Sequence, residues 1–164
     1  VSADTPTHQH TITALVQNEA GTINRLASLF RRRGFSLASF NAGDCEDAGF
    51  SRLTLVVNGD DVQLTQCLKQ LDKLIDVVEC EDLKPDVSVR RELALIRVEP
   101  QDEQRDAVYK IVLEFLAKTP KSSGKSIVVE ISSEVADIER LIEALRPFNI
   151  TEIVRTGLVA MRVD

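Results

Sequence analysis

Residues 10–37 read HTITALVQNEAGTINRLASLFRRRGFSL, and three patterns follow one another in that stretch. First, Ile12, Ala14 and Val16 alternate with Thr11, Thr13, Leu15 and Gln17, the period-two signature of a strand. Next comes the small, polar turn NEAGTINR, residues 18–25, with one glycine and no evident catalytic group. Then Ile23, Leu26, Ala27 and Phe30 fall at i, i+3, i+4 and i+7, one apolar stripe on a helix. Three arginines and Gly34 mark that helix's C-terminal end.

The same template returns three times farther along. Leu64, Cys67, Leu68 and Leu71 repeat it, as do Val108, Ile111, Val112 and Phe115, then Ile138, Leu141, Ile142 and Leu145. Asp60 or Asp61 can cap the second of these helices, and Pro147 follows the last. Strand patterns fill the gaps: residues 36–42, Leu53-Leu55-Val57, 76–82, 92–98, 126–132, 150–156 and 157–163. Strand-helix-strand-strand-helix-strand over residues 10–83 is the ferredoxin-like βαββαβ unit. A second α+β unit repeats similar spacing. The expected layout is therefore an arm at 1–9, a first domain at 10–83, a linker at 84–90 containing Pro85, and a second domain at 91–164.

Each sheet should carry its helices on one face. Leu15, Val56, Ala94, Ile96 and Val98 look too apolar for a wet second face, which points to association, as domain packing or a homodimer. The polar run Thr119–Gly124, with Pro120, offers no apolar face, so the second sheet is expected to lack an edge strand there.

Bulk properties narrow the function. The 164 residues carry 20 basic and 26 acidic side chains, a net charge of -6 that argues against tracking nucleic-acid phosphates. Cys45, Cys67 and Cys80 are odd in number and unpatterned, which fits a reducing compartment rather than a disulfide framework. No window approaches a membrane span and the first ten residues lack a signal-peptide core, so the cytoplasm is the expected location, or a plastid stroma in a photosynthetic eukaryote.

Catalytic motifs are missing. The chain has no phosphate loop, no GxGxxG after a strand, no HExxH and no GxSxG. His8 and His10 form an HxH without a third marked ligand, so no metal site is expected. Asp44-Cys45-Glu46-Asp47 reads as a solvated hairpin turn. The turn at 18–25 admits two readings: a plain strand-to-helix connection capped by Thr22 or Glu19, or an anion seat at bare helix amides.

A resemblance bears on that choice. The segments HTITALVQNEAGTINRLASLFRRRGFSL, DAGFSRLTLVVNGDD, CLKQLDKLIDVVECEDL, RRELALIRV and LRPFNITEIVRTGLVAM together resemble the small, regulatory subunits of acetohydroxyacid (acetolactate) synthase. The resemblance implies an ACT domain followed by an ACT-like domain, in a homodimer that docks on a large catalytic subunit. That subunit would carry thiamine diphosphate, Mg2+ and FAD and work in branched-chain amino acid biosynthesis. The small subunit, with no cofactor of its own, would activate it and confer feedback inhibition by valine. The resemblance also implies where valine binds: Val16, Asn18, Gly21, Thr22 and Ile23 from one chain, with Ser36 and Leu37 from the second. Many members have Asn where this chain has Ser36, so valine binding is expected to be tuned differently. A freestanding ACT-domain sensor of amino acids acting on another partner is the alternative, and copurification with the enzyme separates the two.

Overall fold

A computed structural model describes residues 8–163. They form an α+β protein of two ferredoxin-like units. The first runs β1 (His8–Gln17), α1 (Thr22–Arg33), β2 (Ser36–Asp44), β3 (Phe50–Gly59), α2 (Asp61–Leu71) and β4 (Val77–Asp82). The second runs β5 (Ser88–Val98), α3 (Arg105–Glu114), β6 (Lys118–Ser123), β7 (Ser126–Ser133), α4 (Val135–Leu145) and β8 (Ile150–Arg155). A last strand, β9 (Val159–Arg162), follows. Strand orders are β2-β3-β1-β4 and β6-β7-β5-β8, the same antiparallel arrangement twice.

Register explains the first core. Ile12 stands opposite Leu55 and Ala14 opposite Leu53, so one face of the sheet is a patch of fully buried aliphatics. Leu26, Leu29 and Phe30 of α1 and Leu64, Cys67 and Leu71 of α2 close over it. Asp60 caps α2 in a capping box with Gln63, satisfying donors that a helix start leaves open. Gly34, at φ 67°, ends α1 in the left-handed conformation that glycine adopts without strain.

In the second unit Ala94, Ile96 and Val98 are completely buried beneath Val108, Val112, Ile138, Leu141 and Leu145. They therefore line the helix-covered core, and not the second sheet face on which the sequence reading placed them. Arg155 ties β8 to β5 by a bidentate pair with the buried Glu92, at 2.8 and 2.9 Å.

The second face of the first sheet carries Thr11, Thr13, Thr54 and Val56, all buried, while Leu15 is half-buried. The chain itself supplies a cover here. β9 returns to this unit: the Ala160 N–H donates to Thr54 Oγ1, the Val163 N–H to the Val87 carbonyl, and Arg162 pairs with Glu81. Val56 thus calls for no second copy.

Packing divides the chain with Arg90–Gly157 as one compact unit, while the described residues through Val89 and from Leu158 onward form the other. Residues 158–163, placed in the second domain by the sequence layout, group with the first unit by packing, while β9 within them pairs with β5. The stretch 84–90 is a 3-10 turn at Pro85–Val87 running directly into β5. Residues 1–7 of the expected arm lie outside the described residues, whereas His8 already belongs to β1.

Two further expectations are corrected. Thr119–Gly124 does not leave the sheet short of an edge, because Lys118–Ser123 forms β6 and pairs with β7. An edge strand needs backbone partners on one side only and no buried face, so its exposed, polar side chains are no obstacle. Pro120 falls where the register slips between Lys118 and Lys121, a place that tolerates a missing donor. His10, expected at a polar end, is buried in β1 with Nε2 3.2 Å from the Gly59 carbonyl. Among the described residues no three His, Cys, Asp or Glu side chains gather as a metal site, and no helix is long and apolar enough to cross a membrane.

Candidate effector site at the start of α1

The turn between β1 and α1 is held by backbone bonds on both sides. The Gln17 N–H donates to the Asp76 carbonyl at 2.8 Å and the Asn18 N–H to that of Gly49 at 2.7 Å. The chain then reverses at Gly21, whose φ of 94° suits a residue without Cβ. From there α1 starts with no side-chain cap.

Neither sequence candidate serves as that cap. The Thr22 hydroxyl points back and donates to the Gln17 carbonyl at 3.1 Å, holding strand to helix. Glu19 contributes its carbonyl, which accepts the Thr22 N–H at 3.2 Å. The Thr22 amide is therefore spent inside the turn. The amides of Ile23 and Asn24 have no acceptor within the helix, because the first such bond is Arg25 N–H to the Gly21 carbonyl at 2.9 Å. A helix end of this kind carries partial positive charge and accepts an anionic group.

Arg25, one turn in, reaches Asp76. Its Nη2 donates to Oδ1 at 2.7 Å and its Nε to Oδ2. Asp76 is buried, and its hydrogen bond and charge raise the Arg25 pKa above the usual guanidinium value, with burial opposing. The cation is committed to holding the turn against the α2–β4 connection.

Beside the turn lies a cleft of about 180 Å³. Val16, Asn18, Thr22 and Ile23 line it from the turn, and Ala42, Gly43, Asp44 and Ser51 from the facing ends of β2 and β3. Val16, Ile23 and Ala42 supply apolar surface, while Glu19 and Asp44 add carboxylates. Ile23, placed by its spacing on the core stripe, is instead 47% exposed; Thr22, Leu26, Leu29 and Phe30 face the core. That rotation is what frees Ile23 for the cleft.

Of the seven residues expected to bind an effector, Val16, Asn18, Thr22 and Ile23 line the cleft, while Gly21 precedes α1 as its N-cap residue and does not line it. Ser36 and Leu37 stand at the opposite end of β2 from the cleft. Sequence reasoning read Asp44 as part of a hairpin turn, whereas it ends β2, and missed Ala42, Gly43 and Ser51. Their only signal was position, flanking the 44–47 turn that closes the hairpin next to the first strand's end.

Comparison with known proteins joins this geometry to a family. Residues 12–79 match the model of the AHAS small subunit-like ACT domain, and residues 91–164 match that of the small subunit of acetolactate synthase. The chain is 38% identical over 153 residues to a probable acetolactate synthase small subunit of Methanothermobacter thermautotrophicus, covering 93% of this chain and 91% of that one.

The chain belongs to the acetolactate synthase small-subunit family.

Within that family, the small subunit of Aquifex aeolicus is 39% identical over 155 residues, 94% of this chain and 81% of that one. The crystal structure of the Thermotoga maritima acetolactate synthase small subunit superposes with a TM-score of 0.89 at 36% identity, covering 95% of this chain and 98% of that one. Two tandem ACT-type units are thus the architecture of an acetolactate synthase small subunit, and the uncapped turn lies in the first of them.

Proposed function

We propose that the chain is the regulatory subunit of acetolactate synthase, docking on the catalytic large subunit, raising its activity and conferring feedback inhibition by valine. Cofactors for the reaction (thiamine diphosphate, Mg2+ and FAD) belong to that large subunit. One observation carries the ligand half of this reading: the uncapped start of α1 lies beside a small cleft that is also lined by carboxylates and apolar side chains. A free amino acid has those three needs. Its carboxylate takes the Ile23 and Asn24 amides, its ammonium takes Asn18, Glu19 or Asp44, and a short branched side chain fills the space by Val16, Ile23 and Ala42. The volume of about 180 Å³ favours a small ligand over an extended one.

A homodimer completes the site. β2 is the edge strand of the first sheet, with exposed residues along its length. A second copy paired antiparallel along β2, about a two-fold axis at its middle residue Phe40, carries the second copy's Ser36 and Leu37 to Asp44 and Gly43. Backbone pairing at such an edge satisfies donors and acceptors that water otherwise serves. Calorimetric titration of the isolated protein with valine, leucine and isoleucine tests the ligand. Acetolactate formation by the large subunit, with and without this chain and valine, tests the regulation. No heat with any of the three amino acids and no effect on the large subunit would refute the reading.

A further inference from the structure

At the other end of α1 lies a second cleft, of about 320 Å³, lined by Leu29, Arg32 and Arg33 of α1 and by Gln70, Lys73 and Leu74 in and after α2. Its floor is apolar, since Leu29 is buried and Leu74 packs against the core. Its walls are cationic, in a chain whose net charge is -6. Arginines in a helix's last turn have an ordinary role, offsetting the negative C-terminal end. That role does not account for Lys73, which stands beyond the C-cap of α2 yet faces the same cleft. Arg33 Nη2 donates to Gln70 Oε1 at 2.9 Å, tying the two helix ends together. Among the described residues, neither Arg32 nor Lys73 has a carboxylate within ion-pair distance.

We propose that this cleft docks an acidic segment of the catalytic large subunit, one with an apolar side chain for the Leu29–Leu74 floor and carboxylates for Arg32, Arg33 and Lys73. The choice of partner rests on the regulatory-subunit reading above. Two physical points favour a spread acidic segment over a compact anion. The carbonyl ends of α1 and α2 lie nearby and oppose a concentrated negative charge, whereas long arginine and lysine arms meet separated carboxylates at the rim. The apolar floor gives nothing to a phosphate but rewards a buried aliphatic side chain. Charge complementarity of this kind also steers encounter.

The test compares binding of the full chain to the large subunit, by calorimetry at low and high salt, for the parent, for Arg32→Glu/Lys73→Glu and for Arg32→Gln/Lys73→Gln. The parent's affinity should fall as salt rises; the Glu variant should bind at least about tenfold more weakly, with the Gln variant between. Arg32 stands about 15 Å along α1 from Thr22, so valine titration of both variants should match the parent. Thermal unfolding confirms that each variant is folded. A parent and variants that bind equally tightly, at any salt, overturn the docking proposal and leave the regulatory reading intact. A parent that never binds the large subunit overturns both.

Discussion

Arg25 and Asp76 join the first turn of α1 to the connection before β4 by two hydrogen bonds, the Nη2–Oδ1 bond being 2.7 Å. Asp76 also accepts the Gln17 N–H through its backbone carbonyl, at 2.8 Å. One residue therefore fixes both the end of β1 and the start of α1. Asp76→Ala should remove a buried carboxylate's partner function and loosen the turn, lowering the melting temperature and weakening valine binding together. Asp76→Asn, keeping shape and an acceptor, should do less of both. Differential scanning calorimetry and valine titration on the two variants check this. A variant with an unchanged valine affinity and a lowered melting temperature would restrict the pair to stability alone.

Gly21 sits against the same arginine. A Cβ there would lie 3.2 Å from Arg25 Nη1, and φ of 94° is strained for any residue with a side chain. Gly21→Ala should therefore cost about 1 kcal/mol of stability and keep some valine response. Gly21→Asp adds a carboxylate within three residues of the Ile23 and Asn24 amides that the proposed ligand's carboxylate would take. Allosteric couplings are about 1–3 kcal/mol, so one like-charge clash is enough to abolish valine inhibition while activation survives. Acetolactate formation by the reconstituted enzyme, with and without valine, reads the difference. If the Asp variant folds and stays as sensitive as the parent, the effector binds elsewhere.

The exposed β2 edge and the remote Ser36 and Leu37 are the grounds for the proposed dimer. Light scattering at micromolar concentration should give twice the 18.2 kDa of the chain. Leu37→Asp in this edge strand, where the side chain is 37% exposed, should shift the mass toward the monomer and weaken valine binding. A parent that scatters as a monomer would contradict the shared site.

Cys67 is fully buried, and burial first, then the neighbouring Cys80, push its thiol up to about 12. Iodoacetamide near pH 8 should thus modify Cys45, in the hairpin turn, well before Cys67, as peptide mass mapping would reveal. The shift also has a sign for stability. The unfolded thiol ionises near its ordinary value of 9.0 and the folded one does not until about 12. The stabilisation is fully present below pH 9.0 and is lost as pH climbs toward about 12. Cys67→Ala should flatten that alkaline slope in a series of denaturant melts.

Local pattern was enough for most of the elements. Alternation at Ile12, Ala14 and Val16 marks β1, and helical spacing from Leu64 to Leu71 and from Ile138 to Leu145 marks α2 and α4, because those side chains do face one core. The turn at 18–25 was likewise legible as a glycine reversal opening a helix. Pattern failed where two registers fit equally. Ile23 and Ala27 match the helical template as well as Thr22 and Leu29 do, and only the sheet beneath α1 selects which pair is buried. It failed again at β6, because an edge strand is made by hydrogen bonds to β7 rather than by apolar content.

The sequence by itself determined the order of elements in residues 10–83, the return of helix and strand patterns after them and the glycine turn ahead of α1, since each depends on neighbours a few residues apart. Tertiary structure alone decided three things. It sent residues 158–163 back to the first unit, where Ala160 meets Thr54 across 106 positions of chain. It brought Ala42, Gly43 and Asp44 to the same cleft as Ile23. It also gathered Arg32 and Lys73 around one cleft. Such contacts join residues far apart in the chain, and they exist only once the hydrophobic faces have found each other and set the register between them.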